Sequence, residues 1–202
     1  MRIDLLVEIV SDDIESILDS SLLKDDGFTQ KFFNQTNSDV SFFRNVIHES
    51  AIQPEYHSKL LMFIYRFGRY VKYHTISNFW EEVYQQLNRN IVEKQLNSSF
   101  SRAVDIGFGT RIFHPYNIIV NNKSKIGKNV IMRGNTTIGN NGNNNIDSPI
   151  IGDNVDIGIN ANIFGPVKIG NDSKIGGGAV VVKSAPKNSV LVGNPAKNIS
   201  KE

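Results

Sequence analysis

Apolar residues recur at every sixth position through most of the second half of the chain. The register is unbroken from residue 151 to residue 181 and extends back to residue 100 with two interruptions. An α-helix repeats its buried face every 3.6 residues and a strand every two, so neither element explains a step of six. A strict period of six predicts a solenoid built from short sides of equal length. The apolar positions are Phe100, Ile106, Ile112, Val120, Ile126, Met132, Ile138, Ile151, Ile157, Ile163, Ile169, Ile175 and Val181.

A second register supports the first. Outside the two interruptions, the fourth residue after the apolar position is small or β-branched, and glycine often follows the apolar residue itself, where the chain must bend. Both registers predict a left-handed parallel β-helix of four to five coils, with three hexads in each coil. Such a prism has flat faces, which favours side-by-side packing into a homotrimer. The second register comprises Val104, Thr110, Ser124, Val130, Thr136, Val155, Ala161, Val167, Ser173, Ala179 and Ala185.

The first half of the chain has a different composition. Of 16 glycines only Gly27 and Gly68 precede residue 98, whereas 14 of the 19 aromatic residues do. Residues 1–99 carry 10 basic and 14 acidic side chains, and the remainder carries 12 and 6. We therefore predict an α+β protein by segment, with an N-terminal helical domain at 1–98 and a β-helix domain with a C-terminal tail at 99–202.

Capping and spacing patterns predict four helices in the first half. Asp12 and Asn37 begin segments that resemble helix starts, and Pro54 suits the first turn of a third helix that runs to about Tyr73. A fourth helix carries apolar residues at helical spacing from Phe79 to Leu96.

On the third helix, basic residues recur every three positions. Arg66, Arg69 and Lys72 form either a face that rests on a membrane surface, near 60–73, or a solvated stripe on a packed helix. The second interpretation is favoured, because a charge stripe on a helix is ordinarily solvated.

Composition excludes several classes of function. The chain has no cysteine, so disulfides, thiolate metal sites and a cysteine nucleophile are excluded. A net charge of +2 is typical of neither a nucleic-acid partner nor a disordered chain. The first residues lack the basic start and cleavage site of a signal peptide, and no apolar run approaches membrane-spanning length. We expect a cytoplasmic protein, at the inner face of the membrane if the basic helix rests there.

The two interruptions of the six-residue register are the candidate functional loops. Ile112 to Val120 spans eight residues, and Ile138 to Ile151 spans thirteen through an Asn/Gly-rich insertion. His114 lies at the first break and is the only histidine of the β-helical half. A neutral imidazole there could take a proton from a hydroxyl near pH 7, although a polar turn residue is the alternative.

The arrangement resembles the serine acetyltransferase branch of the hexapeptide-repeat acyltransferases. The resemblance covers residues 100–198 and rests on IGFGTR, the octad IFHPYNII, VNNKSK, IGKNVI, MRGNTT, the Asn-rich loop and the closing GNPAK segment. The helical N-terminal part is more similar to members that modify surface polysaccharides.

The resemblance implies an activity and a set of site residues. His114 would be the general base, acetyl-CoA would be the co-substrate, and no metal would be needed. Coenzyme A would lie between neighbouring β-helices in a homotrimer. The implied cofactor-binding residues are Gly139, Ile159, Gly177, Gly178, Lys183 and Lys197. Turn geometry and solvated charge are the alternative interpretation of each of them.

The chain departs from serine acetyltransferases at the acceptor site. The aspartate that precedes the family's histidine is Phe113 here, the histidine's orienting aspartate falls on Ser99, and a second histidine falls on Ser148. Asp105 is near the orienting position but out of register. Phe113 and Tyr116 therefore become candidate substrate-binding residues, since the C–H face of a sugar can lie against an aromatic ring.

We therefore predict an acetyl-CoA-dependent O-acetyltransferase that acts on a carbohydrate hydroxyl, in the biosynthesis of capsule, exopolysaccharide or O-antigen. The alternatives are a serine O-acetyltransferase, in which another acid such as Asp105 binds serine, and a non-enzymatic β-helix scaffold. A γ-type carbonic anhydrase needs three metal-binding histidines, and a sugar-nucleotide N-acetyltransferase with a Rossmann-like domain needs a glycine-rich phosphate loop. Neither is present in the sequence.

Overall fold

The computed structural model describes residues 49–73, 78–142 and 148–200. The chain divides into two compact units, residues 1–91 and 92–202. The helix starts expected at Asp12 and Asn37 lie outside the described residues. The domain boundary expected at residue 98 stays a prediction.

Two α-helices make up most of the described part of the first unit. Helix α1 is Tyr56–Tyr73 and helix α2 is Asn78–Leu87, which continues as a π-helix over Asn88–Gln95. Helix α1 begins two residues after Pro54, in agreement with the expected start. The two helices pack closely: the ring of Phe67 lies edge-on to Trp80, with ring centroids 6.1 Å apart.

The basic stripe on helix α1 is not a continuous exposed surface, so the expectation of a solvated stripe is wrong for Arg66. This residue is buried, and its guanidinium donates two hydrogen bonds to the carboxylate of Glu49, at 2.6 and 3.0 Å. A buried arginine needs such a partner because an uncompensated charge is costly away from water. Only Arg69 and Lys72 remain for a membrane-facing surface, and membrane association stays a prediction.

The described part of the second unit, residues 92–142 and 148–200, is a β-helix of fifteen short strands. The strands are β1 (Ser99–Phe100), β2 (Asp105–Ile106), β3 (Arg111–Phe113), β4 (Ile119–Val120), β5 (Lys125–Ile126), β6 (Ile131–Arg133), β7 (Thr137–Gly139), β8 (Ile150–Ile151), β9 (Asp156–Ile157), β10 (Asn162–Phe164), β11 (Lys168–Ile169), β12 (Lys174–Ile175), β13 (Val180–Val181), β14 (Val190–Val192) and β15 (Lys197–Asn198).

The strands form three sheets, one for each side of the prism. The first sheet has the order β1-β4-β7-β10-β13, the second β11-β8-β5-β2, and the third β15-β14-β12-β9-β6-β3. Pairing is parallel except between β14 and β15. In each parallel pair, a strand lies beside the equivalent strand of the next coil. This is the predicted left-handed parallel β-helix.

The six-residue register corresponds to the buried interior of the prism. Equivalent apolar residues stack between coils, as Phe100 does on Val120 and Ile112 on Met132. Every residue of the two predicted registers is buried. The side chains of successive coils therefore form one continuous apolar column, while the backbone hydrogen bonds run along the axis.

The last coil departs from the sequence expectation. Ala185 was expected at the small fourth position after Val181, but it pairs with Ile169 and so takes an inward strand position on the second sheet. The step from Val181 on the first sheet to Ala185 on the second sheet is therefore four residues, two fewer than a hexad. Among the described residues, the strands form four full coils and a fifth that is shortened.

Candidate functional site

The octad forms an enlarged turn between the third and first sheets. Ile118 takes the buried corner position, so the two extra residues are accommodated in the turn before it. His114 has a φ of +52° and is exposed, and Pro115 beside it is buried. Asn117 also has a positive φ, at +55°. The break in the register therefore places the imidazole on the outside of one edge of the prism.

Backbone hydrogen bonds to the neighbouring coils hold this turn. The N–H of Gly134 donates to the carbonyl of Phe113 at 3.0 Å, and the N–H of Asn135 donates to that of Tyr116 at 2.8 Å. On the other side, the N–H of Asn117 donates to the carbonyl of Leu96 at 2.9 Å. The octad is thus fixed from both sides, which gives the imidazole a defined backbone position.

An asparagine ladder adds side-chain support to the same edge. The amide of Asn97 donates to Asn117 at 2.7 Å, and the amide of Asn117 donates to Asn135 at 2.9 Å. All three residues have positive φ, a conformation that asparagine tolerates better than most residues. The ladder ties the octad to the coil on either side.

Phe113 lies on the outer face of the third sheet. It alternates with the buried Ile112 along β3, so the two side chains point to opposite faces. Its register partner is Arg133, whose guanidinium carbon lies 5.8 Å from the centroid of the phenyl ring. Arg133 also forms an ion pair with Asp156 and donates to the carbonyl of Ile157 at 3.1 Å.

A pocket of about 490 Å³ opens on the outer face of the first sheet, directly after the octad. Ile119, the residue after the octad corner, lines it together with residues of four coils and the start of the Asn-rich loop. Gly139 is the one predicted cofactor residue in its wall. Its lining is Ser99, Ser101, Ile119, Val120, Asn121, Asn122, Thr137, Ile138, Gly139, Asn140 and Phe164.

Three other predicted cofactor residues lie on the same prism edge as the octad. Gly178 donates its N–H to the carbonyl of Ile159 at 2.9 Å, and a Cβ on Gly177 would lie 3.3 Å from that same carbonyl oxygen. Asn160 in turn donates to the carbonyl of Gly134, under the octad. Since one coil rises by about 4.8 Å, Gly178 lies about 14 Å along the edge from His114.

The two predicted lysines lie in different places. Lys197 lies on β15 of the third sheet, in register with Val192, and the preceding Ala196 donates its N–H to the carbonyl of Val180 on the first sheet, so the closing segment folds back across the edge between these two sheets. Lys183 follows β13, at the far end of the first sheet from that edge. The structure therefore brings Lys197, but not Lys183, to the line of residues that contains His114.

The acidic residue considered for serine binding is not beside the histidine. Asp105 lies on β2 in the second sheet, in register with Lys125. Ser148, at the position of the family's second histidine, donates its hydroxyl to the side-chain oxygen of Asn121 at 3.1 Å. Phe113 takes the position of the family's aspartate, and the acid on the same outer face is Asp156, which forms an ion pair with Arg133.

Sequence reasoning missed Arg133 and Asp156. Their six-residue register predicts outward positions, but a charged outward residue on a β-helix is ordinarily solvated. The coil register could have revealed them. Each coil places its third-sheet strand beside the third-sheet strand of the coil before it, so the hexad positions alone identify Arg133 as the neighbour of Phe113.

Two other features are absent from the parts of the chain that the structure describes, a metal-binding cluster and a membrane-spanning helix. No group of three His, Cys, Asp or Glu residues there is arranged to hold a metal ion. No helix among those residues has the length and apolarity to span a membrane.

Comparison with known proteins places the chain in a family. It is 33% identical to WcaB of Escherichia coli strain K12 over 126 residues, which are 62% of this chain and 78% of that protein; the name of WcaB assigns it to acetyl transfer in colanic acid biosynthesis. It is 38% identical over 94 residues to a serine acetyltransferase of Mycobacterium tuberculosis strain H37Rv, or 45% of this chain and 41% of that protein. No protein-family model matches the chain.

Solved structures agree with the sequence relatives. Ligand-free soybean serine acetyltransferase superposes with a TM-score of 0.66 at 25% identity, covering 84% of this chain and 72% of that one. The serine acetyltransferase of Brucella abortus strain S19 in complex with coenzyme A has the same fold, with a TM-score of 0.63 at 23% identity over 86% of this chain and 65% of that one.

The chain therefore belongs to the hexapeptide-repeat acyltransferases, in the branch that contains WcaB and the serine acetyltransferases. It is an acyltransferase.

Proposed function

We propose that this acyltransferase transfers the acetyl group of acetyl-CoA to a carbohydrate hydroxyl, in the biosynthesis of a surface polysaccharide. The observation that carries the proposal is Phe113, an outward aromatic ring at the residue immediately before His114. An aromatic ring can pack against the C–H face of a pyranose. It supplies no carboxylate to the ammonium group of serine, whose burial without such a partner costs several kcal/mol.

In the proposed reaction His114 acts as the general base. The neutral imidazole takes the proton of the acceptor hydroxyl, and the acceptor oxygen attacks the thioester carbonyl carbon. The carbon–sulfur bond then breaks, and the imidazolium returns the proton to the leaving thiolate. The exposed position of His114, fixed by the neighbouring coils, supports this role because a base must reach the reacting hydroxyl.

Two places on the β-helix could hold coenzyme A, the octad edge and the pocket that Gly139 lines. On the octad edge lie Ile159, Gly177 and Gly178, and Gly178 has a φ of +69° with open space around its Cα. Gly139 has an ordinary φ, and a Cβ there would meet only the ring of Phe164, at 3.8 Å. Backbone strain therefore does not require glycine at position 139, and a larger side chain would narrow the pocket. Lys197 is the cation that fits the phosphates, whereas Lys183 requires a second subunit to reach them.

The site is proposed to be completed by a neighbouring subunit in a homotrimer. His114 is exposed on an edge of the prism, where a single subunit would provide one wall of the proposed groove. Trimeric packing would place the face of a second β-helix against that edge.

The proposed location of the protein is the cytoplasm, and Arg69 and Lys72 could also hold it at the membrane surface. The net charge of the chain does not favour a nucleic-acid partner.

Serine O-acetyl transfer is the second candidate function. It is favoured by the serine acetyltransferase of Mycobacterium tuberculosis, which is as similar in sequence as WcaB over a shorter segment. Phe113, at the position where the serine acetyltransferases carry an aspartate, weighs against it.

Release of the coenzyme A thiol tests the two candidates. Because the chain has no cysteine, a thiol reagent in the assay reports coenzyme A alone. We expect acetyl-CoA consumption to rise when methyl glycosides or the deacetylated surface glycan of the source organism are added, and to stay at the hydrolytic background with serine. Stimulation by serine alone would contradict the proposal.

A further inference from the structure

A cation, a carboxylate and an aromatic ring lie together beside the octad on the outer face of the third sheet. Phe113 and Arg133 are neighbours on adjacent strands, with the guanidinium 5.8 Å from the ring centroid, within the range of a cation–π contact. Asp156, one coil further along, forms an ion pair with Arg133. We call these three residues the Phe113 cluster.

The cluster retains unused hydrogen-bonding groups. The Nη1 group of Arg133 donates to the Oδ1 atom of Asp156 and to the carbonyl of Ile157. Among the described residues, none accepts from its Nε or Nη2, and none donates to Oδ2 of Asp156. The side chains of Arg133 and Asp156 are 33% and 36% exposed. Donors and an acceptor therefore face solvent side by side, next to an aromatic ring.

The charge of the pair limits what the cluster can bind. Asp156 already neutralises the positive charge of Arg133. An anionic ligand would therefore be repelled by the Asp156 carboxylate, and an ammonium group would be repelled by the Arg133 guanidinium. An uncharged diol meets no such repulsion. One hydroxyl can accept from the free guanidinium N–H groups, the next can donate to Oδ2, and the sugar ring can cover Phe113.

We infer that the Phe113 cluster is the acceptor subsite, and that it selects an uncharged pyranose with neighbouring hydroxyls over a uronic acid. Arg133 and Asp156 are its specificity-determining residues. The inference rests on the proposed function, because it names the acceptor class for the same site.

Acceptor kinetics test the subsite, with methyl β-glucoside, methyl β-galactoside and methyl β-glucuronide as probes and thiol release as the readout. The wild-type protein should use the two neutral glycosides at least about tenfold more efficiently than the glucuronide. Arg133→Ala should raise KM for the neutral glycosides about 10- to 100-fold, the usual effect of losing hydrogen bonds to a charged group, with KM for acetyl-CoA unchanged. Arg133→Lys keeps the charge opposite Asp156 but lacks the planar fork, so it should fold normally and still raise the acceptor KM.

A change of preference is the sharper test. Asp156→Asn keeps the shape of the side chain and removes its charge, which leaves Arg133 free to pair with a carboxylate. The preference for neutral glycosides over the glucuronide should fall to about one or reverse. A merely structural ion pair would not change this ratio.

Arg111→Ala is the matched control. Arg111 has the same charge as Arg133 and lies on the same strand and face as Phe113, two residues away. Removal of its side chain should leave every kinetic constant unchanged. If Arg133→Ala behaves as Arg111→Ala does, or loses stability with no change in acceptor KM, the pair is structural and the inference is wrong. If the wild-type protein acetylates serine and none of the glycosides, the proposed function fails and the inference fails with it. If the wild-type protein acetylates the glycosides and the Arg133 variants keep the wild-type acceptor KM, the inference is wrong and the proposed function stands.

Discussion

The backbone of Gly134 lies directly against the carbonyl oxygen of His114. A Cβ at position 134 would overlap that oxygen and would also lie 3.3 Å from the carbonyl of Tyr116. The obstructing atoms are backbone atoms of the octad, which cannot rotate away as a side chain can. Glycine at this position therefore allows the enlarged turn to pack on the coil after it.

Gly134→Ala should displace the octad and reduce activity more than stability. The added methyl group can be accommodated only if the carbonyl of His114 shifts, and a shift of about 1 Å at a reacting group can cost about 10²-fold in rate. Turnover and the thermal midpoint should be measured together. Gly176→Ala is the control, since its Cβ would meet the side chain of Val192 at 3.0 Å, which can move aside. Equal losses of activity in the two variants would contradict this account of Gly134.

Replacement of His114 should remove most of the transfer activity and leave the fold intact. A general base ordinarily contributes about 10² to 10⁴ in rate. Alanine adds about 1 kcal/mol of backbone strain at a φ of +52°, so His114→Asn is the better variant, because asparagine tolerates that conformation. Turnover should fall at least about 100-fold in both variants, with unchanged affinity for coenzyme A by calorimetry. Retention of more than about a tenth of wild-type turnover would assign His114 a structural role.

The asparagine ladder allows stability and activity to be separated. Asn117 and Asn154 have nearly equal φ values, +55° and +56°. Asn154 lies in a second ladder on the edge between the second and third sheets, where its side chain accepts from Asn129 and donates to Asp172. Each asparagine therefore takes part in two ladder hydrogen bonds, but only Asn117 lies in the octad. Each alanine variant should lower the free energy of unfolding by about 1–2 kcal/mol, through lost hydrogen bonds and the cost of positive φ. Only Asn117→Ala should also lower kcat, measured below both unfolding transitions. An equal loss of kcat in Asn154→Ala would mean that both ladders support the solenoid as a whole and that Asn117 has no particular effect on the octad.

Sequence alone predicted the solenoid because its periodicity is set by backbone geometry. Each coil must place an inward residue on the one before it, so the apolar positions and the small corner positions are constrained at every repeat. The octad was found for the same reason: an interruption of a strict period is visible without any structure. His114 was therefore a candidate before the turn around it was known.

Pairings between coils were harder to predict. The buried Arg66 was interpreted as part of a solvated stripe because its partner, Glu49, lies 17 residues away on a different segment. Ala185 fitted the small corner register, and only the pairing with Ile169 shows that the last coil is short. Arg133 and Asp156 are ordinary charged residues in sequence, and their position beside Phe113 follows from the coil register.

The oligomeric state can be measured directly. If the groove beside His114 is completed by a neighbouring subunit, light scattering should give three times the chain mass of 22.6 kDa. Dilution that produces monomers should abolish transfer. A stable monomer with full activity would show that one β-helix contains the whole site.

The identity of the acetylated product tests the central claim most directly. Labelled acetyl-CoA should be incubated with the protein and with serine and the deacetylated surface glycan at equal concentrations, and both products quantified after separation. We predict label on the glycan, released by mild base as expected of an O-acetyl ester, and none on serine above the His114→Asn control. Formation of O-acetylserine with a kcat/KM of about 10⁴ M⁻¹s⁻¹ or more, as is ordinary for an enzyme on its own substrate, with no label on the glycan, would contradict the account.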